Sequence, residues 1–297
     1  MAEMGRMDIT PRYDFACMQR VQTALRPPWL IVCFGQQGVR HYKQNKACED
    51  NFVVGGCNDA AGTHVTWLVL ADGISNCSHA EWGSREACHA VNAYLGREIS
   101  RGAKPGLDVL TQAIGAAHTT LADLAIRMNR SIHDFGTTLA IGLLHGQSIY
   151  AATIGDSSAA ISMVSEAITG TPTGDHTRTY APFCTARPSG KDDHSYSVTE
   201  PTWIDMIARA ETHNLDVDLF MLATDGGHNF FLDPTPDGHV FDPAYPEYLL
   251  GRLQNPEVGP LLIGNVLSFF MKEVDAENDD DRTVLIAVRY PDPEEGE

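Results

Sequence analysis

Two apolar runs in this sequence stop at the same dipeptide. Trp67-Leu68-Val69-Leu70-Ala71 ends in Asp72-Gly73, and Leu219-Phe220-Met221-Leu222-Ala223 ends in Thr224-Asp225-Gly226. Both are too short and too uniformly apolar for a surface helix and read as buried strands. An aspartate at a strand end, followed by a glycine that lets the backbone come close, suits a hard divalent cation bound through oxygen. Two further acidic positions obey the same rule. Asp50 follows Cys48-Glu49 and precedes Phe52-Val53-Val54; Asp280 stands before Val284-Leu285-Ile286-Ala287-Val288. One Asp-Gly is commonplace, and a single acidic residue is ordinarily solvated surface. Four carboxylates at strand edges, far apart in sequence, read together as one metal centre.

The elements that must position them follow from periodicity. Trp29 to Gly35, Phe52 to Gly55, Val65 to Ala71, Leu219 to Ala223 and Thr283 to Tyr290 read as strands. Gly136 to Leu144 and Ser148 to Ile154, joined at His145-Gly146, predict an antiparallel hairpin, and Ala159 to Val164 is expected to continue it as a meander. The hairpin ends at Gly155-Asp156-Ser157, a fifth acidic strand terminus. Ser78-His79-Ala80-Glu81 has the form of a capping box opening a helix, and Pro105-Gly106 precedes a second apolar stripe from Leu107 to Met128. Residues 36 to 48 read as a polar loop carrying Arg40, His41, Lys43 and Lys46, the one locally basic segment. Residues 166 to 200 read as a long flap-like loop, 203 to 211 as a short helix, 227 to 232 as a helical turn, and 246 to 253 and 258 to 273 as helices. Residues 1 to 28 are a lead-in with a short helix, 29 to 290 one domain, and 291 to 297 an acidic disordered tail.

The chain of 297 residues can bury a full core, and 43% hydrophobic with 20% charged residues is ordinary for a globular protein. A formal net charge of -18 argues against a nucleic-acid or anionic-membrane binder, since both need a basic face. Seven scattered cysteines without a C-x-x-C pair speak against structural zinc and for free thiols in a reducing compartment. With no apolar signal core or 18-residue apolar run, the expected location is cytoplasmic.

In order, Glu49-Asp50, Ala71-Asp72-Gly73, Gly136-Thr137-Thr138, Gly155-Asp156-Ser157, Ala223-Thr224-Asp225-Gly226 and Asp280-Asp281-Arg282-Thr283 resemble the motif series of protein phosphatase 2C, the metal-dependent PPM-type serine/threonine phosphatases, in a form closer to bacterial members. The resemblance covers about residues 30 to 290. It implies an α+β fold, a four-layer α-β-β-α sandwich of two antiparallel sheets flanked by helices. It also implies two Mn²⁺ or Mg²⁺ ions. Asp50 would bridge both, Asp72 and the Gly73 carbonyl would complete one side, and Asp225 and Asp280 the other. Glu49 would act through water, and Asp156 matches the position that binds a third, weaker metal in some members. A hydroxide formed between the metals would attack phosphorus in line, with a phosphorylated protein as substrate, a cognate Ser/Thr kinase system as the opposing activity, and a monomeric enzyme.

Three departures stand out. The arginine often found five residues before the bridging Asp is here Asn45, so Arg40, His41, Lys43 or Lys46 is expected to meet the phosphate. The histidine that follows Asp-Gly in some members is here Ile74, with His41 as its possible stand-in as general acid. Asp281 stands where many relatives have Asn. The alternatives are a catalytically weak pseudophosphatase acting as a regulatory binding module, and a phosphohydrolase of small esters.

Overall fold

A computed structural model describes residues 19–26, 28–166, 176–184, 196–213, 216–230, 232–235, 238–241 and 280–289. Its strands are β1 (Gln19–Arg26), β2 (Trp29–Gln36), β3 (Asp50–Asn58), β4 (His64–Asp72), β5 (Leu139–His145), β6 (Ser148–Ile154), β7 (Ser158–Glu166), β8 (His176–Cys184), β9 (Ala208–Thr212), β10 (Val217–Ala223), β11 (Leu232–Thr235), β12 (Gly238–Phe241) and β13 (Arg282–Arg289). Its α-helices are α1 (Val39–Gln44), α2 (Ala80–Ser100) and α3 (Leu107–Met128).

Two antiparallel sheets carry the fold. One is ordered β1-β2-β13-β10-β7-β8 and the other β3-β4-β5-β6-β9, with β11-β12 a separate hairpin. The expected α+β sandwich is what the chain forms. Strand β4 shows why its sequence lacks alternation. Leu68 and Leu70 point into the core between the sheets, against Phe220, Leu222 and Leu285. Trp67, Val69 and Ala71 point the other way, into the core under α2 and α3 with Val91, Leu95, Leu110 and Ile114. Both faces are covered, so both must be apolar. Each such fully buried aliphatic or aromatic side chain contributes about 1.5–3 kcal/mol by leaving water. The second helical layer expected at 246 to 253 and 258 to 273 lies outside the described residues, as does the acidic tail.

Several local expectations are corrected. Gln19–Arg26 is a strand paired with β2, not a helical lead-in. The basic loop contains a helix, Val39–Gln44, closed by Asn45 in the left-handed conformation (φ 55). The capping box is not made: His79 is the N-cap of α2 and no side chain caps it. Strand β7 leaves the hairpin and joins the other sheet beside β10. Gly155, at φ +97, makes that crossing turn with a conformation that a side chain disfavours. Within the supposed flap, His176–Cys184 is an edge strand on β7; residues 167–175 and 185–195 lie outside the described residues. Trp203–Met206 is only a 3₁₀ turn and Ala208–Thr212 is the edge strand of the second sheet. Half-exposed edge strands carry polar residues and therefore read as loop. The helical turn expected at 227 to 232 is a 3₁₀ helix two residues earlier, Asp225–Phe230, and Leu232 opens β11.

Candidate metal centre

Strand register gathers the first two carboxylates. In the β3–β4 pair Asp50 stands directly opposite Asp72. Like charges facing each other across strands destabilise a sheet unless something offsets them. The other sheet brings two more. Asp225 follows the end of β10 and Asp280 precedes β13, and these strands are neighbours with Ala223 opposite Val284. Asp156 follows β6. The result is a cleft of about 110 Å³ lined by Asp72, Gly73, Ile74, Ser75, Thr138, Asp156, Asp225 and Asp280. Asp50 is buried. A larger hollow of about 620 Å³ beside Tyr150 and His213 has no such convergence of carboxylates along its lining.

Threonines fix the acids. The Thr224 hydroxyl donates to Asp50 Oδ2 at 3.0 Å and accepts from the Thr283 N–H at 3.0 Å. The backbone of Asp72 is clamped by its neighbours. Its N–H donates to Thr138 Oγ1 at 3.1 Å, and its carbonyl accepts from the Thr138 N–H and the Thr137 hydroxyl, both at 2.8 Å. Gly73 bridges to Thr137 in the same turn. Sequence reasoning missed these donors. Their only signal was Thr beside Asp-Gly and the Gly-Thr-Thr triplet.

The electrostatics are those of crowded acids. Burial drives the Asp50 carboxyl well above the ordinary range, with Asp281 adding to the rise. Asp72 is raised in the same way, first by burial and then by Asp50, Asp225 and Asp156. Asp225 meets solvent at the cleft mouth, yet loss of water around it, then the charges of Asp156 and Asp280, raise it to about 6. Among the described residues no hydrogen-bond partner reaches the buried Asp50 Oδ1. An orphaned carboxylate oxygen inside a protein is costly unless it is protonated or meets a cation. These oxygen-only donors fit Mn²⁺ or Mg²⁺. Among the described residues no three His, Cys, Asp or Glu side chains already stand in ligating geometry. Like-charged groups hold one another apart, and Arg40 supplies a counter-charge, its Nη2 lying 2.5 Å from Asp280 Oδ2.

The basic residues separate clearly. Arg40 also donates to Ser75 Oγ at 3.3 Å, and Lys46 Nζ donates to the Ser75 carbonyl at 3.2 Å, so both rim the cleft. Lys43 is exposed on α1 and is not part of the lining. His41 is 1% exposed and lies 2.8 Å from Asp281 and 3.4 Å from Glu49, too deep to meet a substrate or act as general acid in the cleft. Glu49 is buried between His41 and Lys46, and its pKa is raised by burial against the pull of both. Ile74 lines the cleft where some relatives of the resembling family have histidine.

Comparison with known proteins agrees with this fold. No curated sequence matches significantly. Among solved structures, a bacterial serine phosphatase is 15% identical with a TM-score of 0.55, covering 88% of this chain and 98% of its own. The serine/threonine phosphatase Stp1 from Staphylococcus aureus is 16% identical with a TM-score of 0.54, covering 87% and 94%. The serine-threonine phosphatase 2C from Toxoplasma gondii is 12% identical with a TM-score of 0.58, covering 91% and 98%. These likenesses establish the fold. The family model for protein phosphatase 2C matches residues 37–255, well over half of the chain. With the fold, the order of the acidic motifs and that match in agreement, the chain belongs to the protein phosphatase 2C family of serine/threonine phosphatases.

Proposed function

We propose that this protein is a metal-dependent phosphoprotein phosphatase that hydrolyses phosphoserine and phosphothreonine. The observation that carries the reading is the Asp50–Asp72 cross-strand pair converging with Asp156, Asp225 and Asp280 on one edge of the sandwich. Asp50, Asp72 with the Gly73 carbonyl, Asp225 and Asp280 would hold two Mn²⁺ or Mg²⁺ ions, with Asp156 serving a third, weaker site and Glu49 acting through water. Once bound, the cations would neutralise phosphoryl oxygens and make water acidic enough to be a nucleophile near neutral pH.

The chain's own groups do the rest. Thr224 aims Asp50, and Thr137 with Thr138 aims Asp72. Arg40, already at the cleft rim, presents a planar pair of donors to the phosphoryl oxygens, with Lys46 as a second positive charge beside it. Among the described residues no histidine lines the cleft. The opposing activity is a Ser/Thr kinase acting on the same substrate. Among the described residues Cys33, Cys48, Cys57, Cys77, Cys88 and Cys184 form no disulfide, and the protein is read as a monomer in a reducing cytoplasm. Among the described residues no helix is long and apolar enough to cross a membrane.

The test is hydrolysis of p-nitrophenyl phosphate and of a phosphothreonine peptide by the purified protein. Both should proceed with Mn²⁺ and stop in EDTA; turnover that persists in EDTA, or folded protein inert with Mn²⁺, contradicts the reading. Faster kcat/KM on the ester than on the peptide would instead favour a small-ester phosphohydrolase. Arg40→Ala should lower kcat/KM for the peptide about 10- to 100-fold, mostly through KM, because a charge-assisted hydrogen bond to substrate contributes about 1.5–3 kcal/mol. An unchanged KM would remove Arg40 from the phosphate site.

A further inference from the structure

Asp281, next to Asp280, turns away from the cleft. The residue is 3% exposed. Oδ1 accepts the Gly38 N–H at 2.7 Å, Oδ2 accepts the Glu49 N–H at 2.6 Å, and the same Oδ2 lies 2.8 Å from His41 Nδ1. Each contact stands next to a group that faces the cleft. Glu49 precedes Asp50, Asp280 precedes Asp281, and Gly38 opens α1, which carries Arg40. The backbone of Asp281 is enclosed as well. Gly226, adjacent to Asp225, packs so closely on the Asp281 carbonyl that a Cβ there would lie 1.9 Å from its oxygen. Three stretches remote in sequence, residues 38–50, 225–226 and 280–281, therefore meet at one buried residue.

We propose that Asp281 is a positioning residue for the metal centre: its carboxylate, braced by His41, sets the distance between the Asp50, Asp280 and Arg40 segments. The inference rests on the metal-dependent reading above. A carboxylate is needed because both oxygens must accept. An asparagine would turn an NH₂ group toward one of the two backbone N–H donors and leave that donor unsatisfied in the interior. The other ring nitrogen of His41, Nε2, lies 3.4 Å from Glu49 Oε2, within ion-pair reach but without a hydrogen bond. A site whose ligands come from several strand ends depends on such outer contacts, and losing one typically weakens metal binding about 10- to 100-fold.

The experiment compares wild type, Asp281→Asn and His41→Gln. Calorimetric Mn²⁺ titration well below each melting temperature is combined with hydrogen exchange of the metal-free proteins. Asp281→Asn should bind Mn²⁺ at least about tenfold more weakly, and His41→Gln, which keeps both backbone acceptors, about threefold. Exchange over residues 38–50 should quicken in Asp281→Asn while the β5–β6 hairpin is unchanged. A purely structural loss would raise exchange everywhere and leave the affinity of folded protein intact. Affinity within twofold of wild type in both variants overturns the proposal, and if Asp281→Asn does not fold, His41→Gln decides alone. Wild type that binds no Mn²⁺ would defeat the metal reading itself and this inference with it. Tight wild-type binding with unaffected variants defeats the inference only.

Discussion

Asp225→Asn should abolish Mn²⁺-dependent phosphatase activity while leaving the metal-free protein as stable as wild type, or more so. The two halves follow from one arrangement. Asp225 is within hydrogen-bond reach of Asp72, and Asp156 and Asp280 add negative charge to its surroundings. In the absence of a cation these groups repel, so removing one charge relieves the cluster. With a cation bound the same charge is attractive, and losing it weakens both affinity and Lewis acidity. Withdrawing several kcal/mol of electrostatic support lowers turnover about a thousandfold, at about 1.4 kcal/mol per tenfold. The size of Asn matches Asp, so no packing is lost. Steady-state kinetics with p-nitrophenyl phosphate and thermal melting in EDTA read the two effects separately. If more than about a tenth of the activity survived at saturating Mn²⁺, Asp225 would not be a ligand. A large fall in the metal-free melting temperature would point to a structural role instead.

The sandwich and the convergence of its acids were legible because they are written in local patterns. An apolar run that ends in Asp-Gly announces both a buried strand and what the strand delivers, and the tight His145-Gly146 turn announces a hairpin. The support around the acids was not legible, because nothing local distinguishes it. His41 lies in a visibly basic stretch and reads as a surface group; only the fold shows that Asp281, far along the chain, draws its ring inside. Thr224 and Thr138 are unremarkable until the register sets their hydroxyls beside Asp50 and the Asp72 backbone. The loop reading of residues 36 to 48 failed for a related reason. A six-residue helix is too short to show a period, yet it carries Arg40 to the cleft while Asn45 points the chain onward into Glu49 and Asp50. Arg40, on α1 earlier in the same segment, is the residue proposed above to stand in for the arginine missing from its expected spacing.

Without metal, the protein should lose stability as pH rises from about 5 to 8; with Mn²⁺ that trend should reverse. Asp50 and Asp72 have pKa values well above the ordinary range and Asp225 is raised to about 6, in each case chiefly by burial. In the unfolded chain these carboxyls titrate near 4. Between about pH 4 and 6, and higher for the deeper pair, the folded state therefore binds more protons than the unfolded state, and stability falls with rising pH. His41 acts in the same direction. Its pKa is raised by its bond to Asp281, so its contribution is fully present below about pH 6.5 and is lost as pH rises through the higher folded value. Glu49, raised by burial, adds to the trend. A divalent cation must displace the same protons, so its affinity climbs with pH as the acids ionise. At a free Mn²⁺ concentration about a hundredfold above Kd the gain is about 2.7 kcal/mol. For a domain of this size that raises the melting temperature by about 5–10 °C at pH 8, with much less gain at pH 5. Differential scanning fluorimetry at the two pH values, in EDTA and in Mn²⁺, gives all four numbers. Parallel pH profiles with and without the ion would show that the buried carboxylates do not meet the metal. Curves that diverge toward alkaline pH are what a cation binding in place of protons on Asp50, Asp72 and Asp225 requires.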